Sequence, residues 1–208
     1  DLHTIICQNF KQIQNYDDFK FDKKIEFIKD FDHNHIIIVN GVFKSFDLSF
    51  EEKEKVKIKN LNSLESSSNL SSNNLHNLNK ALSIGGFNLE VEKDYKCKKP
   101  IVIYNYFASN LENKIINNSN KIKLNQNSEL ILIEYNFGAK SKFFNNNFEK
   151  INLNNGSSLK NFIIQKTKCN GYFYKNISGT QEYNSSDQNF ILSAGLKFNK
   201  IEINMEVE

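Results

Sequence analysis

A mainly β chain, wound over most of its length as a right-handed parallel β-helix (a β-solenoid), is what the sequence predicts. Three observations predict it: a composition of strand formers, a succession of short apolar runs, and an internal echo. The chain has 208 residues, which suits one domain with a smaller flanking piece. Apolar residues make up 39%, and 18 Phe with 8 Tyr supply a core. Ile, Phe and Tyr are abundant beside a single Pro, so residues that fit a pleated surface dominate. Asn occurs 34 times and all 27 basic residues are Lys. That bias has the look of AT-rich coding sequence, and it discounts the Asn-rich surface as a functional signal.

Residues 1–30 mix short helical and strand signals, with Asp17 and Asp18 as helix-start residues. Ile36-Ile37-Ile38-Val39 and Val42-Phe43 then flank Asn40-Gly41, a dipeptide that tolerates positive φ and favours a tight hairpin turn. Glu51-Glu52-Lys53-Glu54-Lys55 reads as a solvated helix face. Lys59 to Asn77, rich in Ser and Asn, reads as a loop with one helical turn. Residues 1–77 are therefore expected to be a flanking segment and linker, and 78–208 the β-helix core.

In that core Phe87-Asn88-Leu89-Glu90-Val91 alternates at period two, and Pro100 opens Ile101-Val102-Ile103-Tyr104. Lys121–Leu124, Leu130–Ile133, Lys150–Leu153, Phe162–Ile164 and Ile201–Glu208 continue the series. No amphipathic helix of ten or more residues interrupts it, which removes doubly wound α/β folds. The glutamates mostly alternate with apolar residues, as solvent-facing strand positions do. Leu130–Ile133 and Phe162–Ile164 are apolar at consecutive positions, so both sheet faces should be covered there.

The echo separates β architectures. Ile122-Lys123-Leu124-Asn125-Gln126-Asn127-Ser128-Glu129-Leu130 matches Ile151-Asn152-Leu153-Asn154-Asn155-Gly156-Ser157-Ser158-Leu159 at an offset of 29. Each copy is a strand, an Asn-rich corner and a strand, which stacks as coils of a solenoid. Asn at stacked corners can bond the next coil and accepts the left-handed conformation. An antiparallel sandwich with two similar hairpins gives the same echo and stays open on periodicity alone.

Several segments, taken in order, resemble the SufB/SufD family. Asn40-Gly41-Val42-Phe43 resembles its "NG-x-F" segment. Leu78-Asn79-Lys80-Ala81-Leu82 followed by Gly85-Gly86-Phe87-Asn88-Leu89-Glu90-Val91 resembles "LN-x-A" and "G-x-x-(I/L)-x-V". Lys99-Pro100-Ile101 resembles the "KPI" strand, Ser128–Glu134 an apolar strand, and Ala194–Ile203 the "G-x-L" segment; the first of these tilts the likeness to the SufD side. The resemblance implies a non-catalytic scaffold subunit of an iron–sulfur cluster assembly complex. It implies a SufB-like β-helix partner and a SufC-like ABC ATPase that docks on a C-terminal helical region. It implies a cluster held at the level of the complex, with SufD linked to iron supply. The chain is expected to stop before the ATPase-docking region, so no functional residue is carried over. A β-helix that stops mid-coil also exposes unpaired N–H and C=O groups, a template for a partner.

No catalytic, cofactor-binding or metal-binding residue is assigned. Cys97 lies among Lys96, Lys98 and Lys99, cations that favour thiolate, and reads either as a sulfur-handling or metal-handling residue or as a cysteine in a Lys-rich turn. Cys169 reads as a turn residue. His33 and His35, with Asp30 and Asp32, offer metal-ligand types at strand spacing but no firm third ligand, and read as a solvated loop. His76 carries no signal. Net charge is +3 with no Arg, which argues against nucleic acid. No run approaches the roughly 20 apolar residues that span a bilayer. Three spread cysteines (Cys7, Cys97, Cys169) give no disulfide framework and fit a reducing, cytoplasmic setting. Five Asn-x-Ser sequons (Asn69, Asn117, Asn155, Asn176, Asn184) are close to what composition gives by chance. Sparse aspartate after residue 78 argues against a carbohydrate-active β-helix; that reading and an adhesin remain the alternatives.

Overall fold

The computed structural model describes residues 6, 8–13, 25–61, 73–83, 85–108, 110–138, 140–166 and 171–208. Cys7, Cys169, Asn69, the start signal at Asp17 and Asp18, and most of the Ser/Asn-rich stretch lie outside them. Strands β1 (Lys11–Gln12), β2 (Asn34–Val39), β3 (Val42–Asp47) and β4 (Val56–Asn60) precede helix α1 (Asn74–Leu82). Then come β5 (Phe87–Val91), β6 (Ile101–Phe107), β7 (Lys114–Leu124), β8 (Glu129–Gly138) and β9 (Phe143–Leu153). The series ends with β10 (Ser158–Lys166), β11 (Tyr172–Gln181), β12 (Ser186–Ala194) and β13 (Phe198–Val207).

From β5 onward the strands alternate between two sheets, and each pairs in parallel with the strand two places along. One sheet runs β13-β11-β9-β7-β5-β4, with β1 on the flank of β7; the other runs β12-β10-β8-β6-β2-β3. The result is a β-solenoid of about four turns. Lys121 pairs with Lys150 and Glu129 with Ser158, which is the 29-residue echo seen in register. Antiparallel pairing among the described strands is confined to β2–β3 and β4–β5, so the sandwich alternative falls.

Those antiparallel strands close the N-terminal end, β3 on one sheet and β4 on the other. The β2–β3 hairpin turns at Asn40 and Gly41, with φ of 50° and 82°, as the Asn-Gly pair predicts. Strand β2 pairs in parallel with β6. The segment ahead of the Ser/Asn-rich stretch thus builds part of both sheets, and α1 straddles residue 78.

One corner repeats four times as strand, two-residue turn, strand. Asp94, Asn127, Gly156 and Asn184 occupy it with φ of 58°, 57°, 70° and 55°. Each tight turn closes on itself, as in Ser128 N to Asn125 O at 3.1 Å and Ser157 N to Asn154 O at 3.0 Å. Adjacent corners then bond to one another: Asp94 N donates to Gln126 O (2.8 Å), Asn127 N to Asn155 O (3.0 Å), and Gly156 N to Tyr183 O (3.1 Å). Asn127 Nδ2 adds a bond to Asp94 Oδ1 at 2.8 Å. Left-handed residues are needed to turn the chain this sharply, which is why Asn, Asp and Gly fill the site.

The lumen holds an apolar block that includes Ile36, Leu89, Ile101, Ile122, Leu132, Ile151, Leu159 and Ile177. Burying each such side chain contributes about 1.5–3 kcal/mol. A second lumenal cluster, Phe107, Leu111, Ile116, Phe143 and Phe173, fills the far side. Outside, Leu75 and Leu78 of α1 with Ile6 and Phe10 cover Ile115, Phe144, Phe148 and Tyr174. Helix α1 is capped by Asn73, whose side chain accepts from Leu75 N (2.9 Å) and His76 N (3.1 Å). It is pinned by buried Asn79, which donates to Asn118 O (3.0 Å) and Asn146 O (2.7 Å). On the other sheet, Ile25 and Ile28 cover Val102 and Tyr104, with Ile133, Tyr135 and Phe137 beside them. That cover does not reach β12, where Phe190 and Leu192 are 56% and 49% exposed.

Candidate functional site

The residues singled out by sequence are put to structural use. The three lysines beside Cys97 each turn to a carboxylate: Lys96 to Glu129, Lys98 to Glu52 (2.9 Å) and Lys99 to Asp32 (3.3 Å). Burial, with the nearby Glu51 charge adding to it, pushes the Cys97 thiol up to about 12. Of the two readings open for Cys97, these contacts support the turn cysteine: the three lysines pair with carboxylates, and the thiol packs against the lumenal core. Glu51 organises this corner, accepting from Asn34 Nδ2 (2.7 Å), Tyr95 OH (2.8 Å), Lys98 N (3.0 Å) and Lys99 N (3.1 Å).

His33 and His35 both pack against Tyr104, with ring centroids 5.8 and 6.4 Å from its ring. Ile28 N donates to Tyr104 OH (2.9 Å), and that hydroxyl lies 2.8 Å from His33 Nε2. The hydroxyl proton is then free to go to Nε2, which leaves the His33 proton on Nδ1, aimed at Phe31 O (3.0 Å). His35 lies against Phe27 with ring centroids 4.5 Å apart, and burial lowers its pKa against the pull of Asp47. His76 stacks on Phe148 at 4.5 Å and is likewise lowered, by burial first. Among the described residues no group of three His, Cys, Asp or Glu gathers as a metal site.

What the structure brings together lies inside the solenoid. Between the two apolar blocks of the lumen, Asn118 and Asn120 of β7, Asn147 and Glu149 of β9, and Lys175 of β11 meet Asn105 of β6 and Glu134 and Asn136 of β8. Register aligns them: Asn118 pairs with Asn147, Asn147 with Lys175, Asn120 with Glu149, and Asn105 with Asn136. Lys175 Nζ crosses from one sheet to the other, donating to Glu134 and, at 3.2 Å, to Glu149. Asn136 Nδ2 donates to Glu134 Oε1 and Asn105 Nδ2 to Asn136 Oδ1, both at 2.8 Å. One polar network thus ties both sheets through the core.

The electrostatics follow from burial. Lys175, Glu134 and Glu149 are 3%, 6% and 1% exposed. Burial alone would pull the Lys175 ammonium down; the two carboxylates outweigh it and hold its pKa above the usual lysine range. Burial drives Glu149 above the ordinary carboxylate range, against the pull of Lys175. Two buried acidic groups thus share one ammonium, and Glu149 is the one that burial drives toward its neutral form. An ammonium held this firmly is a poor nucleophile and serves as a charged cross-strut. Each buried acceptor without a donor costs about 1–3 kcal/mol, and Asn105, Asn118, Asn147 and Glu149 each carry one such oxygen.

The alternation argument placed glutamates outside, and it holds at Glu90 but fails at Glu134 and Glu149. The offset of 29 does carry a signal, since it superposes Asn117-Asn118 on Asn146-Asn147 and Asn120 on Glu149. Two of the sequon asparagines are buried in the same sheet, Asn117 and Asn176.

A scan against protein-family models finds no match to this chain, and no curated protein matches it at significance. What fold and interior define is a β-solenoid whose lumen is apolar at both sides and crossed by a buried, charge-bearing girdle.

Proposed function

We propose that the protein is a non-catalytic scaffold subunit of an iron–sulfur cluster assembly complex, of the SufD kind within the SufB/SufD family. The solenoid fold supports this reading, as do the segments that carry the resemblance. Asn40-Gly41 forms the N-terminal hairpin turn, Leu78–Leu82 closes α1, Phe87–Val91 is β5, and Ile101 opens β6. The observation that carries it furthest is the parallel stacking of β5 to β13 in two sheets around a common core. A SufB-like β-helix is the partner proposed for the chain, and a SufC-like ATPase the third member of the assembly. The fold serves such a role by rigidity, since each inner coil is bonded to two others and to a common core. Affinity purification of the full-length protein from its own cells tests the reading. Recovery with a β-helix subunit and an ABC-type ATPase is expected. Isolation alone, or cleavage of a uronate polymer by the purified protein, overturns it.

A further inference from the structure

Along β9 the side chains facing the lumen are Asn145, Asn147 and Glu149, in line with Phe143 on one side and Ile151 on the other. Each presents an oxygen that no donor among the described residues reaches: Asn145 Oδ1, Asn147 Oδ1 and Glu149 Oε1. Asn118 Oδ1, in register with Asn147, and Asn105 Oδ1, from the opposite sheet, are in the same condition. Against these acceptors the girdle has one unused buried donor, Asn118 Nδ2. The side chains are at least nine-tenths buried, so bulk solvent does not serve them.

We infer that this girdle is a binding site for a file of ordered water molecules running along the lumenal face of β9. The surplus of acceptors calls for a guest that brings protons, and water brings two. Length decides against a single ion. Residues two apart on a strand are separated by about 6.6 Å, so the row from Asn145 to Glu149 extends about 13 Å. One cation cannot touch both ends, whereas waters with bonds of about 2.8 Å bridge successive side chains. Charge points the same way, because the Lys175 ammonium already occupies the space between the two carboxylates and repels a second cation. Water typically makes about three hydrogen bonds when buried: amide oxygens on adjacent strands take its two protons, and an amide N–H such as Asn118 Nδ2 gives the third. The phenylalanines at Phe107, Phe143 and Phe173 and the isoleucines at Ile122, Ile151 and Ile177 bound the file at its two ends.

Magnetic relaxation dispersion of water oxygen and deuterium nuclei, measured on the whole chain, counts waters that stay for longer than the protein tumbles. At least about two such waters per chain are expected. Asn147→Leu, which removes an acceptor and fills space, is expected to lower the count by one or more. Asn145→Leu, at the end of the row, provides the same reading should Asn147→Leu fail to fold. No long-lived water in the wild-type protein overturns the inference, as does an undiminished count in either folded variant. A rubidium anomalous peak between Asn118 and Asn147 in crystals soaked with that ion overturns it in favour of a cation site.

Discussion

At the scale of single residues, position in the coil decides what an amino acid does. Gly179 on β11 lies opposite Ile151, and a Cβ placed there would stand 1.6 Å from the Ile151 carbonyl oxygen. That obstacle is backbone, which cannot rotate away. Gly179→Ala is therefore expected to destabilise the fold by more than about 2 kcal/mol, read from the urea midpoint at unchanged m-value. Gly156 is a contrasting case. Its φ of 70° suits the left-handed corner, but the atom a Cβ would meet is the side-chain Asn127 Oδ1. Asn127 and Asn184 hold the equivalent corner positions in neighbouring coils with side chains of their own. The Asn-Gly hairpin and the corners at Asn127 and Gly156 were legible in the sequence because turn chemistry is local. The surroundings of Cys97 were not legible, for the opposite reason. Adjacent lysines are visible in sequence, but Glu129, Glu52 and Asp32, which draw their charge away, come from other turns of the chain.

At the scale of elements, the girdle is where strand alternation stops being informative. Period two says which residues share a face, and it is silent on which face is inside when both are covered. Strand β9 is buried on both faces from Phe143 to Glu149, by the lumen on one side and by α1 with Ile6 and Phe10 on the other. Polar residues in that stretch therefore had no sequence mark of being interior. The helix was legible only as a single turn, because its hold on the sheet runs through Asn79 and not through a long apolar stripe. Removing the strut leaves two acidic groups without their cation, so Lys175→Met is expected to cost about 3–5 kcal/mol, measured by denaturant titration. The pH dependence has a definite sign. The folded-state pKa of Glu149 lies above its ordinary 4.5, so folding favours the protonated form. That contribution is complete below the unfolded value and is lost as pH rises through the folded one. Stability should thus decline from mildly acidic pH upward on account of this group. Glu149→Gln, neutral at every pH, should remove that part of the slope in a series of thermal melts.

At the scale of the whole molecule, the exposed coil at β12 and β13 governs solution behaviour. Phe162 and Phe190 lie side by side with ring centroids 5.9 Å apart and a 48° tilt, and the column they form continues Val102 and Ile133, which Ile25 and Ile28 help to cover. Where that cover stops, the isolated chain is expected to self-associate as concentration rises. Phe190→Lys with Leu192→Lys places charge on the edge and should keep it monomeric in sedimentation velocity, with a melting point only slightly lowered because both side chains are about half exposed. The solenoid itself was legible through its 29-residue echo, although only two of the four corners declared themselves. Asp94 and Asn184 sit in turns beginning with Glu92 and Glu182, where the flanking strands have diverged in composition while the backbone has not. The two ends of the stack differ in kind. At β3 and β4 the chain runs against its neighbours, so a strand laid beside either one could not continue the winding. At β12 and β13 direction and pitch are preserved. A further parallel coil could therefore be laid on only one end of the described stack, since antiparallel pairing at β3 and β4 closes the other.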